Sequence, residues 1–268
     1  MKRLFLTFLF STSFIQAVAQ YEESGSFYSF DSTRIYYEVN GKGPAVLLIH
    51  GFIVNSESWK KSSLYADLIQ SGFKVITLDL RGNGQSDRPH TPEAYEKDAE
   101  AKDVIALANL LQLKEYSVVG YSRGSIIASR VLLRDDRVDQ AVLGGMGADF
   151  TNPNWPRRIM FYEALMGKSV KELEGAIKYI KEQHLDELAL AYMQKGQPSS
   201  SKKELATIKR PVLVICGTED EDNGSSKTLA SLIPGSAYVR VPGNHNNTSR
   251  TKEFAEAVIA FIKKNKGL

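Results

Sequence analysis

Ser122 sits at the centre of Gly120-Tyr121-Ser122-Arg123-Gly124, a G-x-S-x-G arrangement that sets one hydroxyl between two residues without side chains. A serine hydroxyl is a poor nucleophile near neutral pH and needs a base to take its proton. The chain offers four histidines, His50, His90, His184 and His245. His245 is the expected base, because Pro242-Gly243-Asn244-His245-Asn246-Asn247 forms a loop between the last apolar run and the last helical pattern. His90 lies between prolines in a loop, His184 reads as a solvated or packing residue in a helical segment, and His50 ends an apolar run before Gly51. The base in turn needs an orienting carboxylate. Asp220, just past the apolar run 212–216, is the expected one; Glu219, Glu221 and Asp222 crowd the same loop, and Asp149 is a second possible position. These residues together suit nucleophilic acyl transfer. A serine at such a turn can also simply cap the helix that follows.

Placing these groups requires strands that end beside one another. Runs at 26–30 and 33–39 predict a hairpin turning near Asp31-Ser32. Continuous apolar runs at 45–49, 74–78, 116–119, 140–143, 212–216 and 237–241 predict strands buried on both faces. Helical spacing lies between them: Leu64, Leu68 and Ile69; Val104, Leu107, Ala108 and Leu111; Ile126, Ile127, Arg130 and Val131; Phe254, Val258 and Ile262. Strand–helix alternation means right-handed crossovers, so the fold class is α/β, a mostly parallel eight-stranded sheet flanked by helices with an antiparallel start. From 149 to 209 only helical patterns occur, 171–181 and 185–193 among them, which is too long for an ordinary crossover and predicts a helical cap inserted over one end of the sheet. Trp155, Phe161 and Tyr162, with Leu165 and Met166, are the expected apolar wall of a substrate pocket beneath it.

Composition narrows the remainder. The chain has 268 residues, 43% hydrophobic and 24% charged, which excludes a mostly disordered or fibrous chain and suits one sizeable core. Lys and Arg number 34 and Asp and Glu 31, a net charge of +3 that argues against nucleic acid or an anionic membrane as the main partner and leaves a small-molecule substrate. The single cysteine, Cys216, allows neither an intramolecular disulfide nor a cysteine-based metal site, and at a strand end it reads as buried and inert. Met1-Lys2-Arg3, an apolar stretch and Ala17-Val18-Ala19 read as a signal peptide over 1–19. The mature chain is then one domain, 20–268, exported to a periplasm or secreted, with no stable membrane insertion after cleavage.

Four segments together resemble the α/β-hydrolase superfamily, in its branch of esterases, haloperoxidase-like enzymes and C–C bond hydrolases. They are His50-Gly51-Phe52, the stretch Asp79-Leu80-Arg81-Gly82-Asn83-Gly84-Gln85-Ser86-Asp87, the turn at Ser122, and Gly217-Thr218-Glu219-Asp220 with Gly243-Asn244-His245. The order serine, acid, histidine is that superfamily's order. The resemblance implies an oxyanion hole from the backbone N–H groups of Phe52 and Arg123, a structural role for 79–87, and no cofactor. It implies ester hydrolysis first; C–C hydrolase, lactonase and perhydrolase chemistry use the same triad, and a ligand-binding sensor with a slow triad is an alternative from another class. Arg123 departs from many relatives, which carry an apolar residue there, and its side chain is expected to pair with a carboxylate such as one on the insertion.

Overall fold

The computed structural model describes residues 22–268, so the expected signal peptide over 1–19 lies outside the described residues. The described residues open with β1 (Glu22–Tyr28) and β2 (Arg34–Asn40), an antiparallel pair with Tyr28 opposite Arg34. The first strand starts earlier than expected and stops at Tyr28. The reason is the Asp31 carboxylate, which accepts from the Thr33 N–H at 3.2 Å and from Arg81 at 2.7 Å and so makes 29–33 a turn. Ser32 takes a left-handed φ of 67° there.

The remaining strands are β3 (Ala45–Ile49), β4 (Lys74–Leu78), β5 (Tyr116–Tyr121), β6 (Val138–Gly144), β7 (Val212–Gly217) and β8 (Ala237–Val241). They form one eight-stranded sheet in the order β1-β2-β4-β3-β5-β6-β7-β8, parallel from β4 to β8. Successive residues of β3 alternate between two cores. Leu47 and Ile49 join Val104 and Leu107 of α3 (Ala99–Leu110) and Ile127 and Val131 of α4 (Arg123–Arg134). Val46 and Leu48 join Leu64 and Leu68 of α2 (Ser63–Gln70), which follows the short α1 (Glu57–Lys60), and Phe254 and Val258 of α10 (Lys252–Lys266). Burial on both sides is why β3 and β7 are continuous apolar runs and not alternating. β8 departs from the expected burial: it is an edge strand with one neighbour, and of its residues only Val241 is buried.

No strand lies between β6 and β7, in line with the expected helical stretch. It contains α5 (Pro156–Leu165), α6 (Glu174–Glu182), α7 (Glu187–Lys195) and α8 (Lys202–Leu205). Leu165, Ile180, Leu190 and Met193 pack with Tyr95 into a third, smaller core, and Phe52 and Ile53 of the loop after β3 lean on it. Leu205 and Ile208 instead belong to the main core, so the end of this stretch is part of the sheet's own helical layer. His184 is not within a helix. It stands in the turn between α6 and α7 with φ 51°, because the chain must reverse there before Asp186 caps α7 by accepting from the Ala189 N–H at 2.9 Å. After β7 come α9 (Ser226–Ser231), β8 and α10.

Candidate active site

Ser122, Asp220 and His245 each follow the C-terminal end of a parallel strand or the loop after it, β5, β7 and β8 respectively, so the topology delivers all three to one edge of the sheet. His245 Nε2 lies 2.9 Å from Ser122 Oγ. His245 Nδ1 lies 3.0 Å from Asp220 Oδ2 and 3.2 Å from Oδ1. Asp220 is 4% exposed. Burial works against its charged form, but the hydrogen bond from His245 and that ring's charge outweigh it and hold the carboxyl below the usual range. Asp149, the other possible acid, is absent from this chain of bonds; it sits against Gly224.

The turn at Ser122 is strained, with φ 56° and ψ −123°, a conformation that costs a non-glycine residue roughly 1–3 kcal/mol. Gly120 and Gly124 make it possible. A Cβ at Gly120 would strike the Gly124 carbonyl, and one at Gly124 would strike the Ile49 carbonyl, so β5, α4 and β3 approach this closely only without those side chains. The serine makes no capping bond to α4, which leaves its hydroxyl to His245 and disposes of the capping alternative.

Phe52 and Arg123 both line the cavity that holds Ser122. As the first residue of α4, Arg123 has no helical carbonyl four residues back to take its N–H. The 79–87 segment fixes the loop of Phe52: Asn83 Nδ2 donates to the Phe52 carbonyl at 2.8 Å, and the Asp79 carboxylate accepts from the Ser56 and Gln85 N–H groups at 2.8 and 2.7 Å. Arg81 is fully buried between Asp103 and Asp31.

His50 completes that support from inside. Its Nδ1 is 2.7 Å from the Gly51 carbonyl, and its Nε2 accepts from the Leu80 N–H at 3.0 Å. This pair of bonds requires the neutral ring with the proton on Nδ1. Burial lowers its basicity further, against a partial opposing effect of the Asp79 charge. An unfolded histidine titrates near pH 6.5. Below that pH the unfolded chain takes up a proton that the native chain refuses, so this contribution to stability is complete above about pH 6.5 and is lost as pH falls toward the lowered folded value. Denaturant titrations should show an acid-side loss of up to about 1.4 kcal/mol per pH unit from this site, absent in His50→Gln. An unchanged slope in that variant would refute this account of the ring.

The Arg123 guanidinium departs from expectation in its partner. It is 2% exposed and pairs with Glu100 of α3 at 2.9 and 2.5 Å, not with a carboxylate of the insertion. From the insertion it meets neutral acceptors instead, the Met193 carbonyl at 2.8 Å and Gln197 Oε1 at 3.0 Å. A fully buried cation needs the anion, and Glu100 is itself 1% exposed at the adjoining helix face. Arg123 thus ties the insertion to α3 at the start of the helix that follows Ser122.

The cavity has a volume of about 560 Å³. Trp155 and Phe161 line it, as expected; Phe161 meets Phe52 edge-on with ring centroids 5.6 Å apart. Tyr162 does not line it. One position along α5, it turns toward the small core of Leu165 and Ile180, because neighbouring residues of a helix point about 100° apart. Leu165 is buried in that core and Met166 is exposed, so neither forms the wall. Cys216 is 2% exposed, and burial, with the Asp220 charge, pushes its thiol up to about 11, the condition of an inert side chain. His90 is exposed and contacts Asp186 at 2.8 Å.

Several contributors carry no sequence signal. Tyr121 donates its hydroxyl to the His245 carbonyl at 2.9 Å and lies against the imidazole, with centroids 5.7 Å apart. Asn223 donates to the Gly145 carbonyl at 3.2 Å and abuts His245 Nδ1 at 3.4 Å. Only their place beside predicted residues marks them in the sequence.

Comparison with known proteins bears on the family. Residues 44–174 match the family described as alpha/beta hydrolase fold. Over 111 residues the chain is 40% identical to a protein described as a non-heme chloroperoxidase from Synechocystis, a match spanning 41% of this chain and 39% of that protein's length. It is 30% identical over 216 residues to an AB hydrolase superfamily protein of Bacillus subtilis, covering 71% of this chain and 79% of that protein. Among solved structures, a bromoperoxidase from Bacillus anthracis is similar with a TM-score of 0.70 and 25% identity over 90% of this chain and all of that one (100%). An esterase from a Rhodococcus is similar with a TM-score of 0.67 and 26% identity over 90% of this chain and 98% of that one. With the eight-stranded sheet in this order and a relative matched over most of both chains, the protein belongs to the α/β-hydrolase superfamily.

Proposed function

We propose that the protein is a serine hydrolase of carboxylic esters. The observation that carries this reading is the unbroken line of hydrogen bonds from Asp220 through His245 to a strained Ser122 on the wall of an open-mouthed cavity. In this reading Ser122 Oγ attacks the acyl carbon and His245 Nε2 takes its proton. Asp220 holds the Nδ1–H and stabilises the imidazolium. The backbone N–H groups of Phe52 and Arg123 receive the oxyanion, and loss of one such donor typically costs about 10²–10³ in rate. His245 then protonates the leaving alkoxide, and water, activated by the same ring, releases the acid from the acyl-serine. A lactone, as a cyclic ester, follows the same steps. The insertion supplies Trp155 and Phe161 to the cavity and would act on substrate choice.

A fluorophosphonate tests the reading directly. The full chain should be labelled at Ser122 and should cleave 4-nitrophenyl esters, with both activities lost together after labelling. Absence of labelling on folded protein would refute it. Export, expected from the first nineteen residues, belongs to the same proposal; intact-mass measurement of the protein outside the cytoplasm should give a chain beginning at Gln20, and an unprocessed chain would overturn it.

A further inference from the structure

The charged groups of the cavity wall are unbalanced. Among the described residues, Arg123, Arg157, Arg158 and Arg250 line it against one carboxylate, Asp222. Arg123 is neutralised from behind by Glu100. Arg157 stands 3.7 Å from Asp222, with both side chains well exposed, a weak pair. Arg158 has no carboxylate partner among the described residues. Its terminal nitrogens donate to neutral carbonyls, those of Gln194 at 3.0 Å, Lys195 at 2.8 Å and Pro153 at 2.6 Å. Its Nε is buried and has no hydrogen-bond partner among the described residues. Burial and the nearby Arg123 charge both work against its charged form.

The start of α5 points the same way. Arg157 and Arg158 occupy the first turn of α5, which has no acidic residue there and no side-chain cap. A helix N-terminus favours anions and disfavours cations, so these arginines sit where local helix physics would not place them. An anion inside the cavity would supply the negative charge that its wall lacks beside Arg157, Arg158 and the start of α5.

We propose that the cavity beside Ser122 selects an ester or lactone whose acyl portion carries a second, ionised carboxylate, received by Arg158 with Arg157. This deepens the ester-hydrolase reading and rests on it for the word substrate. The carboxylate accepts from Arg158 and leaves the scissile carbonyl to Phe52 and Arg123. The shortfall of negative charge in the wall also draws such a substrate inward, an effect that salt weakens.

Monomethyl glutarate and methyl pentanoate share one ester and one acyl length and differ in a terminal carboxylate against a methyl. Calorimetric titration into the full-length Ser122→Ala protein should show the carboxylate-bearing ester binding about tenfold tighter or more, the worth of one charge-assisted hydrogen bond. Arg158→Gln on that background should abolish the preference and Arg158→Lys should keep part of it. Because Arg158 also holds the end of α7, Arg157→Gln, which leaves those bonds in place, serves as the second variant and should reduce the preference. Melting temperatures identify any variant whose fold has loosened. Equal binding of the two esters, or a preference unchanged in Arg158→Gln, would overturn the proposal. The two readings fail separately: fluorophosphonate labelling without carboxylate preference removes the anion site alone, and carboxylate preference without labelling removes the hydrolase reading alone.

Discussion

Ser122→Ala is expected to lower kcat toward a 4-nitrophenyl ester by about 10⁶-fold, leaving only what the oxyanion donors and binding supply. The fold should be indifferent to the change. Alanine retains the Cβ, so the strain at φ 56° is the same, and the lost hydroxyl was not capping α4. The melting temperature should therefore stay close to that of the unaltered chain while activity vanishes. His245→Ala should cost about as much, and the double variant little more than either, because the two side chains act through one proton transfer. Steady-state kinetics on the three variants checks this. Full additivity, or a Ser122→Ala protein within tenfold of normal activity, would mean that another group attacks the ester.

Asp220→Asn should lower kcat by about 10⁴-fold with the fold intact. The carboxylate accepts the His245 Nδ1–H and so forces the free lone pair onto Nε2, facing Ser122. An asparagine at this place can donate its own N–H to Nδ1. The ring proton then moves to Nε2, where it cannot accept from the serine hydroxyl. Asp149→Asn, by contrast, should stay within about threefold, a surface-loop effect too small to indicate a catalytic group. Measured rates that reverse this order would place the orienting acid after β6 and not after β7.

Most of the scaffold was legible in the sequence because its central strands are buried on both faces, and such strands are written as continuous apolar runs such as Val212-Leu213-Val214-Ile215. The hairpin boundary was less legible. Asp31 ends β1 by bonding to Arg81, fifty residues away in sequence, and no local pattern reports that contact. The same limit explains Tyr162. The sequence marks 149–209 as helical without strands, but which face of α5 meets the cavity depends on how the insertion settles on Phe52 and Tyr95. For Arg123 the sequence shows a cation beside the nucleophile and calls for an acid, yet Glu100 is chosen over the insertion's acids only because α3 and α4 lie side by side.

The sequence by itself determined the α/β alternation, the G-x-S-x-G turn and the order serine, acid, histidine, because each is a matter of residue type and local spacing. Tertiary structure alone decided that Asp220 reaches His245, that His50 is a neutral strut between two loops, and that Arg158 lines a cavity with no carboxylate partner among the described residues. Those outcomes depend on distances between segments far apart in the chain, on burial that fixes protonation, and on which of several carboxylates packing brings within about 3 Å, the reach of a charge-assisted hydrogen bond.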